Sequence, residues 1–452
     1  MGGSSPFKDQ NKQHSTTTTT MTTFFSFWRF LPYTIYAILP MALFRVYFYP
    51  LPVPQSPTDR LPRSDHILVA PSLSSPRQAE KAGGDAVTEA PPPPPPPPCD
   101  YASGKWVPDK SEPLYNGTTC VLIRDAQNCI AHGRPDLDYL YWRWKPHQCH
   151  LPRFQPIKFL QLVRNKNVAF VGDSLARNQL ESLVCMLSTV SDPILVYRDG
   201  EDNKFRKWNF PGHNMTISAY WSPFLVKGEE NFPDYNKLYL DSVNERWAGD
   251  LGSLDMVVLS FGHWFVHPAV YFEGGSALGC HYCTGLNHTE IGFYGVLRKA
   301  LRTSLKALIA RTRASGRAMD VLVTMFPPAH FEGDWDKFGS CPKTKPYQEG
   351  EKLLEGMDAE MRKSLADEVE AAKADARDFS GIRLEALDIT KLSLMRPDGH
   401  PGPYIFPFPF ADGVKDRVQN DCVHWCLPGP IDTWNAILLE AIKRWRGGEM
   451  NR

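Results

Sequence analysis

The most constraining feature of this 452-residue chain is a short apolar run that breaks at a Gly-Asp-Ser triplet. Residues 168–171 are Val-Ala-Phe-Val, the pattern of a buried strand, and Gly172, Asp173 and Ser174 follow directly. Beyond them, apolar residues recur with helical spacing at Leu180, Leu183, Val184 and Leu187. Ser174 is therefore predicted at a strand-to-helix turn, where the free N–H groups of the first helical turn face developing negative charge.

A second motif near the C-terminus supplies the partners that a serine nucleophile needs. Asp421 and His424 are three residues apart, so their side chains fall on the same side of a helical turn or tight loop. The carboxylate can then hold Nδ1 of the imidazole while Nε2 takes the proton of Ser174. Either motif alone could be a helix cap or an ordinary buried histidine. The two together predict a Ser-His-Asp triad of Ser174, His424 and Asp421.

Three further strand patterns place other loops beside Ser174. Apolar runs at 256–260, 321–326 and 384–388 alternate with helical patterns that begin near Tyr294 and Trp434. Such alternation predicts an α/β fold with a parallel sheet covered by helices on both faces. Ligands bind these sheets beyond the carboxyl ends of the strands. Ser174, residues 262–264 and residues 327–331 each follow a strand, so we expect them to line one cleft.

The N-terminal part of the chain has a different composition from the rest. Residues 1–23 are polar and predict a cytosolic tail, and residues 24–44 are apolar apart from Arg29 and predict an uncleaved transmembrane signal anchor. A cleaved signal peptide is the alternative, but no Ala-x-Ala site follows. Residues 45–98 end in eight prolines and predict a disordered stem. A Cys/Trp-rich lobe at 99–155 and a catalytic domain at 156–452 complete the predicted organisation.

Charge and cysteine usage fit a lumenal protein. The 50 basic and 50 acidic residues balance, so no nucleic-acid partner is expected. Three glycosylation sequons begin at Asn116, Asn214 and Asn287. All ten cysteines follow the stem, and their even number favours disulfides of undetermined connectivity. They are Cys99, Cys120, Cys129, Cys149, Cys185, Cys280, Cys283, Cys341, Cys422 and Cys426.

Several cysteine alternatives remain open from the sequence. Cys280 and Cys283 could pair with each other, Cys185 could be a buried free thiol, and bridges from Cys422 and Cys426 would tie the loop of His424 to distant segments. Zinc bound by the same cysteines is the competing interpretation, but the intervals do not repeat as in a zinc finger. The sequence therefore predicts no metal site.

The motifs together resemble the two signatures of the plant trichome-birefringence-like proteins, which are Golgi polysaccharide O-acetyltransferases related to Gly-Asp-Ser-Leu esterases. The resemblance runs from about Cys99 to about Trp445 and includes the stretches around both halves of the triad. Intervening segments that agree are residues 128–136, 141–146, 260–265 and 396–402. It implies an SGNH/GDSL-esterase-like sheet domain, with a smaller disulfide-rich N-terminal lobe that wraps it.

The resemblance also implies a reaction. Ser174 would carry the acetyl group as an ester, and a hydroxyl of a plant cell-wall hemicellulose would accept it. The branch acting on mannan looks nearest, with xyloglucan next and xylan also open. No bound cofactor is implied, but an acetyl donor is required, either acetyl-CoA or a carrier derived from it. The expected location is the Golgi membrane, as a single-pass type II protein with a lumenal catalytic domain. The rival functions are a carbohydrate acetyl esterase and a non-catalytic wall-glycan binder.

Residues beside the triad are expected to bind the oxyanion or the substrate. Where the wider esterase superfamily often carries Gly-x-Asn-Asp, this chain has Gly-His-Trp, so the second oxyanion donor is open between the Gly262 N–H, Arg177 and Asn178. Trp264 and Trp425 are expected to stack on sugar rings, because each lies beside a predicted site residue. The complete predicted set is Gly172, Asp173, Arg177, Asn178, Gly262, His263, Trp264 and Trp425.

Overall fold

The computed structural model describes residues 99–199, 204–230, 234–414 and 416–450. The predicted tail (1–23), anchor (24–44) and stem (45–98) lie outside these ranges. Among the helices in the described ranges, none has the length and apolar character needed to cross a membrane.

A seven-stranded sheet forms the centre of the fold. Its strand order is β13-β12-β9-β3-β6-β5-β4, in which β13 to β6 are mutually parallel and β5 and β4 extend the sheet as an antiparallel edge. The bounds of all the strands are β1 Gly104–Pro108, β2 Trp142–Pro146, β3 Asn167–Gly172, β4 Ile194–Asp199, β5 Phe205–Phe210, β6 Met215–Trp221, β7 Val226–Glu229, β8 Asn236–Val243, β9 Met256–Ser260, β10 Ala269–Glu273, β11 Ser276–His281, β12 Met319–Thr324 and β13 Ile382–Leu387.

Helices cover both faces of this sheet. Their bounds are α1 Pro156–Leu162, α2 Ser174–Ser188, α3 Glu245–Ala248, α4 Tyr294–Ser315, α5 Gly356–Asp375, α6 Thr390–Leu394 and α7 Asp432–Met450. Helices α2 and α7 pack on one face and α4 and α5 on the other. Side chains alternate along β3, so Val168 and Phe170 enter the first core while Ala169 and Val171 enter the second. The predicted α/β sheet covered by helices is confirmed.

The topology fixes where a ligand can bind. Strands β6 and β9 lie on opposite sides of β3, so the chain leaves β3 towards one half of the sheet and later returns to build the other half. The segments that follow β3 and β9 therefore run in opposite directions above the carboxyl end of β3, and this divergence opens a crevice there. Ser174 begins the helix that follows β3, and residues 262–264 follow β9. Both segments reach this crevice.

The N-terminal lobe packs on the α2 and α7 side of the sheet. Strands β1 and β2 form an antiparallel ribbon, and buried aromatic residues from it join the core beneath α7. The Trp106 indole N–H donates to the Leu392 carbonyl at 2.8 Å, and the Tyr115 hydroxyl donates to the Asp432 carboxylate at 2.8 Å. A further small sheet, β11-β10-β8-β7, lies beside the main sheet.

Five disulfides use all ten cysteines. The pairs are Cys99–Cys149, Cys120–Cys185, Cys129–Cys426, Cys280–Cys283 and Cys341–Cys422. Cys185 is therefore not the free thiol that the sequence left open, because it joins α2 to the N-terminal lobe. Cys280 and Cys283 also group with Glu290 as potential metal ligands, but their sulfur atoms are bonded to each other and offer no thiolate.

Candidate active site

Ser174 is the first residue of helix α2, at the tip of strand β3. The Asp173 side chain caps this helix, since its Oδ1 accepts the Leu175 N–H at 3.0 Å. Gly172 is required here because a Cβ atom would lie 1.7 Å from the Ser260 carbonyl oxygen of the neighbouring strand β9. The turn therefore passes close over β9. Ser174 remains partly exposed between buried neighbours.

Asp421 and His424 form a tight pair in the loop that precedes α7. The Asp421 Oδ2 atom lies 2.7 Å from the His424 Nδ1 atom. The Asp421 Oδ1 atom accepts the N–H groups of both Val423 and His424 at 2.9 Å. Burial alone would raise the pKa of Asp421, but the His424 ring and these two N–H groups lower it to about 2. Asp421 is thus an ionised carboxylate that fixes the orientation of the His424 ring.

Helix α2 and the loop of His424 are joined through Asn178, one turn after Ser174. The Asn178 Oδ1 atom accepts the Trp425 N–H at 2.8 Å, and its amide group donates to the Trp425 carbonyl at 3.3 Å. Both ends of this buried amide are therefore committed to the residue after His424. Asn178 accordingly holds the loop of His424, called the base loop below, on α2.

Asp173 is a buried acid beside the base. Burial raises its pKa to about 6, while the Leu175 N–H, the charge of His424 and the N–H groups of His263 and Gly262 oppose the increase. The Gly262 N–H thus lies near the Asp173 carboxyl, whose Oδ2 atom has no hydrogen-bond partner among the described residues. Gly262 has a φ of 147°, and a Cβ atom there would lie 2.8 Å from the Phe326 ring. The second oxyanion donor therefore stays open between the Gly262 N–H, Arg177 and Asn178, beside the Ser174 N–H at the start of α2.

The raised pKa of Asp173 predicts a pH-dependent loss of stability. The folded protein binds this proton more tightly than the unfolded chain, whose carboxyl titrates near 3.8. The stabilisation is therefore complete below about pH 4 and is lost as the pH rises through about 6, a change of about 3 kcal/mol. We expect Asp173→Asn to remove this loss, because asparagine keeps an acceptor for the Leu175 N–H and carries no charge.

Urea unfolding of wild type and Asp173→Asn at intervals from pH 4 to pH 7 measures the effect. The difference in unfolding free energy between the two proteins should grow with pH in favour of the variant. Asp138→Asn, at an exposed carboxyl of the N-terminal lobe, is the matched control and should follow the wild type. A difference that stays constant over the range contradicts the assignment.

The crevice rim carries an aromatic and cationic corner. Trp221 ends β6, and Trp264 lies after β9; their rings meet edge to face at 86° with centroids 5.5 Å apart. The Arg177 guanidinium lies over the Trp221 ring at 5.2 Å. All three side chains are partly exposed. Together they provide two perpendicular apolar faces and a hydrogen-bond donor beside Ser174.

Two further residues singled out from the sequence, Trp425 and His263, pack against other rings of the protein. Trp425 is fully buried and stacks on His400 with centroids 4.2 Å apart, so it cannot stack on a sugar; the prediction for Trp425 is wrong. His263 donates from Nε2 to the Pro327 carbonyl at 2.9 Å and stacks on Phe326. Burial lowers the pKa of His263 to about 4, so the ring is neutral near pH 7.

Two buried arginines tie the segment 398–400 to the N-terminal lobe. Arg396 pairs with Asp398 at 2.8 Å in the interior, and its guanidinium also donates to the Tyr139 carbonyl at 2.6 Å. Arg134 donates to the carbonyl groups of His400 at 2.7 Å and Asp398 at 2.6 Å. No local sequence pattern signals this network, because most of its partners are backbone carbonyls of distant segments. The Asp398 region is therefore a structural support.

Comparison with known proteins follows the same division of the chain. Residues 151–441 match the PC-esterase family, described as a GDSL/SGNH-like acyl-esterase family found in Pmr5 and Cas1p. The chain belongs to this family. Residues 97–150 match the PMR5 N-terminal domain, which accounts for the lobe.

Several plant enzymes of the same family are similar over nearly their whole length. Xyloglucan O-acetyltransferase 1 of Populus trichocarpa is 62% identical over 92% of this chain and 93% of the relative. Xyloglucan O-acetyltransferase 2 of the same species is 59% identical over 98% of each chain. Xyloglucan O-acetyltransferase 1 of Arabidopsis thaliana is 52% identical over 92% of this chain and 96% of the relative. Other relatives are trichome birefringence-like proteins, which agrees with the resemblance found in the sequence.

Proposed function

We propose that this PC-esterase family member is a polysaccharide O-acetyltransferase that acetylates hydroxyls of xyloglucan. The observation that carries the proposal is the buried Asp421–His424 pair, which Asn178 attaches to the helix that begins at Ser174. The choice of xyloglucan rests on the names of the relatives that match almost the full chain. These names favour xyloglucan as the acceptor, whereas the sequence motifs alone suggest mannan.

The first half of the reaction loads the enzyme. His424 takes the proton of Ser174 through Nε2 while Asp421 holds Nδ1, and the Ser174 oxygen attacks the acetyl carbonyl of the donor. The N–H groups at the start of α2 stabilise the oxyanion, with Arg177 as the nearest cationic side chain on the same helix. The donor leaves with the proton from His424. Ser174 now carries the acetyl group as an ester.

The second half repeats the chemistry with a sugar. His424 removes the proton of a polysaccharide hydroxyl, whose oxygen attacks the acetyl-serine and releases Ser174. Water could accept the acetyl group in the same way, so the triad alone fits an esterase equally well. An enzyme that transfers must therefore keep the acceptor sugar over Ser174 in place of water.

The corner of Trp221 and Trp264 suits this role. Sugar rings present C–H faces that pack on flat aromatic side chains, and their hydroxyls bind charged groups at the edge. The Trp221 indole N–H donates to Glu230 at 2.6 Å, which fixes the ring. Phe224 supports Trp264 from behind, with centroids 6.0 Å apart. Both aromatic faces are thus held rigidly beside Ser174.

Removing one face should weaken acceptor binding more than the chemistry. We expect Trp264→Ala to raise KM for the oligosaccharide about 10-fold and to change kcat much less, because the ring contacts the acceptor and not the acetyl carbon. The control is Tyr282→Ala, at an exposed aromatic residue beyond β11. Steady-state kinetics with varied acceptor measure both constants. An unchanged KM would remove Trp264 from the acceptor site.

Mass spectrometry of oligosaccharides tests the proposed function itself. The soluble chain from Cys99 onward, acetyl-CoA and oligomers of xyloglucan, mannan or xylan are incubated together, and free acetate is measured in parallel. Acetyl esters on xyloglucan oligomers are the expected result. Acetylation of mannan or xylan in preference would change the acceptor, and release of acetate without transfer would indicate an esterase. A Ser174→Ala variant that keeps every measurable function would indicate a glycan-binding protein.

We also propose a lumenal Golgi location, with residues 24–44 as the membrane anchor. Three observations support this location. All ten cysteines are paired, and the asparagines of the three sequons, Asn116, Asn214 and Asn287, are exposed. The apolar segment precedes the cysteines and the sequons in the chain. The intact protein should resist carbonate extraction and shift in mass after endoglycosidase treatment. An unglycosylated, extractable product from a secretory host contradicts this location.

A further inference from the structure

Two buried histidines lie behind the loop of His424 and take no part in the triad. His330 follows β12, and His400 follows the short turn at Pro397–Gly399. The His400 Nδ1 atom lies 2.7 Å from the His424 carbonyl oxygen, and its Nε2 atom lies 2.7 Å from His330 Nδ1. The His330 Nε2 atom lies 2.9 Å from the Leu394 carbonyl oxygen. The two rings thus form a chain of polar contacts from the Leu394 carbonyl, at the end of α6, to the backbone carbonyl of His424.

The segment that carries His400 runs alongside the base loop and is bonded to it at both ends. Gly402 and Asp421 exchange backbone hydrogen bonds of 2.9 and 3.0 Å, and the Cys426 N–H donates to the Gly399 carbonyl at 3.0 Å. Between these points the His400 ring reaches the His424 carbonyl. Its stacking on Trp425 keeps the ring in this position. The hydrogen bond is therefore made at the base itself.

The contacts also determine where the protons are. Carbonyl oxygens only accept hydrogen bonds, so His400 Nδ1 and His330 Nε2 both carry hydrogen. These are the two hydrogens that a neutral pair of imidazole rings carries. A third proton between the inner nitrogens, which lie 2.7 Å apart, would give the pair a positive charge, and burial disfavours that charge because it lowers the pKa of both His330 and His400. The His400 N–H that faces His424 does not depend on a third proton, because its partner is always an acceptor.

We propose that His400 is a positioning residue for the base: its Nδ1–H holds the His424 carbonyl, and His330 fixes His400 from behind. This inference rests on the proposed role of His424 as the base. Asp421 fixes the ring of His424 at Nδ1, and Asn178 fixes the next peptide through Trp425. His400 supplies the missing restraint on the carbonyl between them. His424 is then held at its ring, at its carbonyl oxygen and through the N–H of the following residue, as proton transfer over a short distance requires.

Two substitutions of His400 separate positioning from packing. His400→Phe keeps a flat ring that can stack on Trp425 but has no donor. His400→Asn loses the stacking ring but places an amide N–H near the position of Nδ1. If His400 positions the base, asparagine should work better than phenylalanine. If the ring is needed only to fill space, phenylalanine should work better.

The rate at which a fluorophosphonate labels Ser174 is the closing measurement. The serine oxygen bonds to phosphorus, the P–F bond breaks, fluoride leaves, and His424 takes the serine proton. This rate needs the triad but neither xyloglucan nor an acetyl donor, so it stays informative if the proposed acceptor is wrong. We expect His400→Phe to label ~10–100-fold more slowly and His400→Asn to recover to within about fivefold of wild type. For acetyl transfer, the loss should appear in kcat with KM nearly unchanged.

The outcomes decide the proposal in both directions. Each variant is first checked for folding by near-ultraviolet circular dichroism and thermal unfolding. A folded His400→Phe that labels at the wild-type rate, or a His400→Asn that falls as far as His400→Phe, overturns the positioning role. If neither variant folds, His330→Leu removes the ring behind His400 and keeps the backbone bond from the His330 N–H to the Cys422 carbonyl. Ser174 of that variant should be labelled ~3–10-fold more slowly, and a wild-type rate would reject the role of His330 and His400 in positioning the base.

Discussion

Ser174→Ala and His424→Ala should each lower turnover by about three orders of magnitude or more, with little change in folding. Ser174 is partly exposed at the first position of α2, where alanine is accepted without a cavity. His424 is buried but lies in a loop that is held by its backbone and by two disulfides. In the proposed mechanism the two residues act on the same proton, so the double variant should be no worse than either single variant.

Controls from the same elements make the result specific. Ser188→Ala changes a serine at the far end of α2 that donates only to the Cys185 carbonyl, and His147→Ala changes a half-exposed histidine of the lobe. Both should keep wild-type turnover. Acetyl transfer to xyloglucan oligomers and thermal unfolding are measured for all the variants. A folded Ser174→Ala enzyme with normal turnover would exclude the serine mechanism.

The parts of the fold that follow from the sequence are those with strong local patterns. The apolar run before Gly172 and the helical spacing after it became β3 and α2, and the run at 256–260 became β9 with the same bounds. The strand predicted at 321–326 begins two residues earlier, at Met319. Asp320 belongs to it despite its charge, because Arg383 and Arg446 pair with its carboxylate. A charged residue in a strand interrupts the local apolar pattern, and the distant partners that neutralise it cannot be read from that pattern.

Other elements were missed because they depend on contacts between distant segments. Helix α5 has a weakly apolar face of Met361, Leu365 and Val369, and Arg298 and Arg302 of α4 pair with its buried Glu368. The four-stranded sheet is built from short strands with irregular alternation, and two of its strand pairs contain a register shift. Neither element has a pattern strong enough to be recognised before its partner is known.

The site shows the same division. Spacing places Asp421 and His424 together, and the structure has them 2.7 Å apart. Adjacency misleads for Trp425, because successive side chains on a tight loop point in different directions and Trp425 points into the core. Asn178 also looks free in sequence, yet its amide binds a peptide that is 247 residues away. Only the assembled fold shows which polar groups are already hydrogen-bonded to other parts of the chain.

Loss of the Cys129–Cys426 disulfide should weaken both the fold and the reaction. This bridge joins the lobe to the second residue after His424 and closes a sequence separation of 297 residues. Restriction of so long a loop in the unfolded chain contributes about 2–5 kcal/mol to stability. The same bond fixes the base loop, and Arg134 donates to the Cys426 sulfur at 3.3 Å. We therefore expect Cys129→Ala/Cys426→Ala to be less stable and to lose kcat more than acceptor binding.

The bridge between Cys280 and Cys283 is the matched control. It spans only three residues within the four-stranded sheet, so its loop entropy is small and it makes no contact with the base loop. Cys280→Ala/Cys283→Ala should keep wild-type kcat. Urea unfolding and acceptor kinetics on the two double variants separate a general effect of disulfide loss from one on the base.

Mild reduction of the wild-type enzyme tests the same bond without substitution. Because local opening of a loop requires less free energy than global unfolding, activity should be lost while near-ultraviolet circular dichroism still reports a folded core. Mass mapping of alkylated cysteines identifies which bridge opened at the time of the loss. The base-loop explanation requires Cys426 or Cys422 among the first thiols to appear. Full activity in a sample whose Cys426 is alkylated would show that the loop holds His424 in place through hydrogen bonds alone.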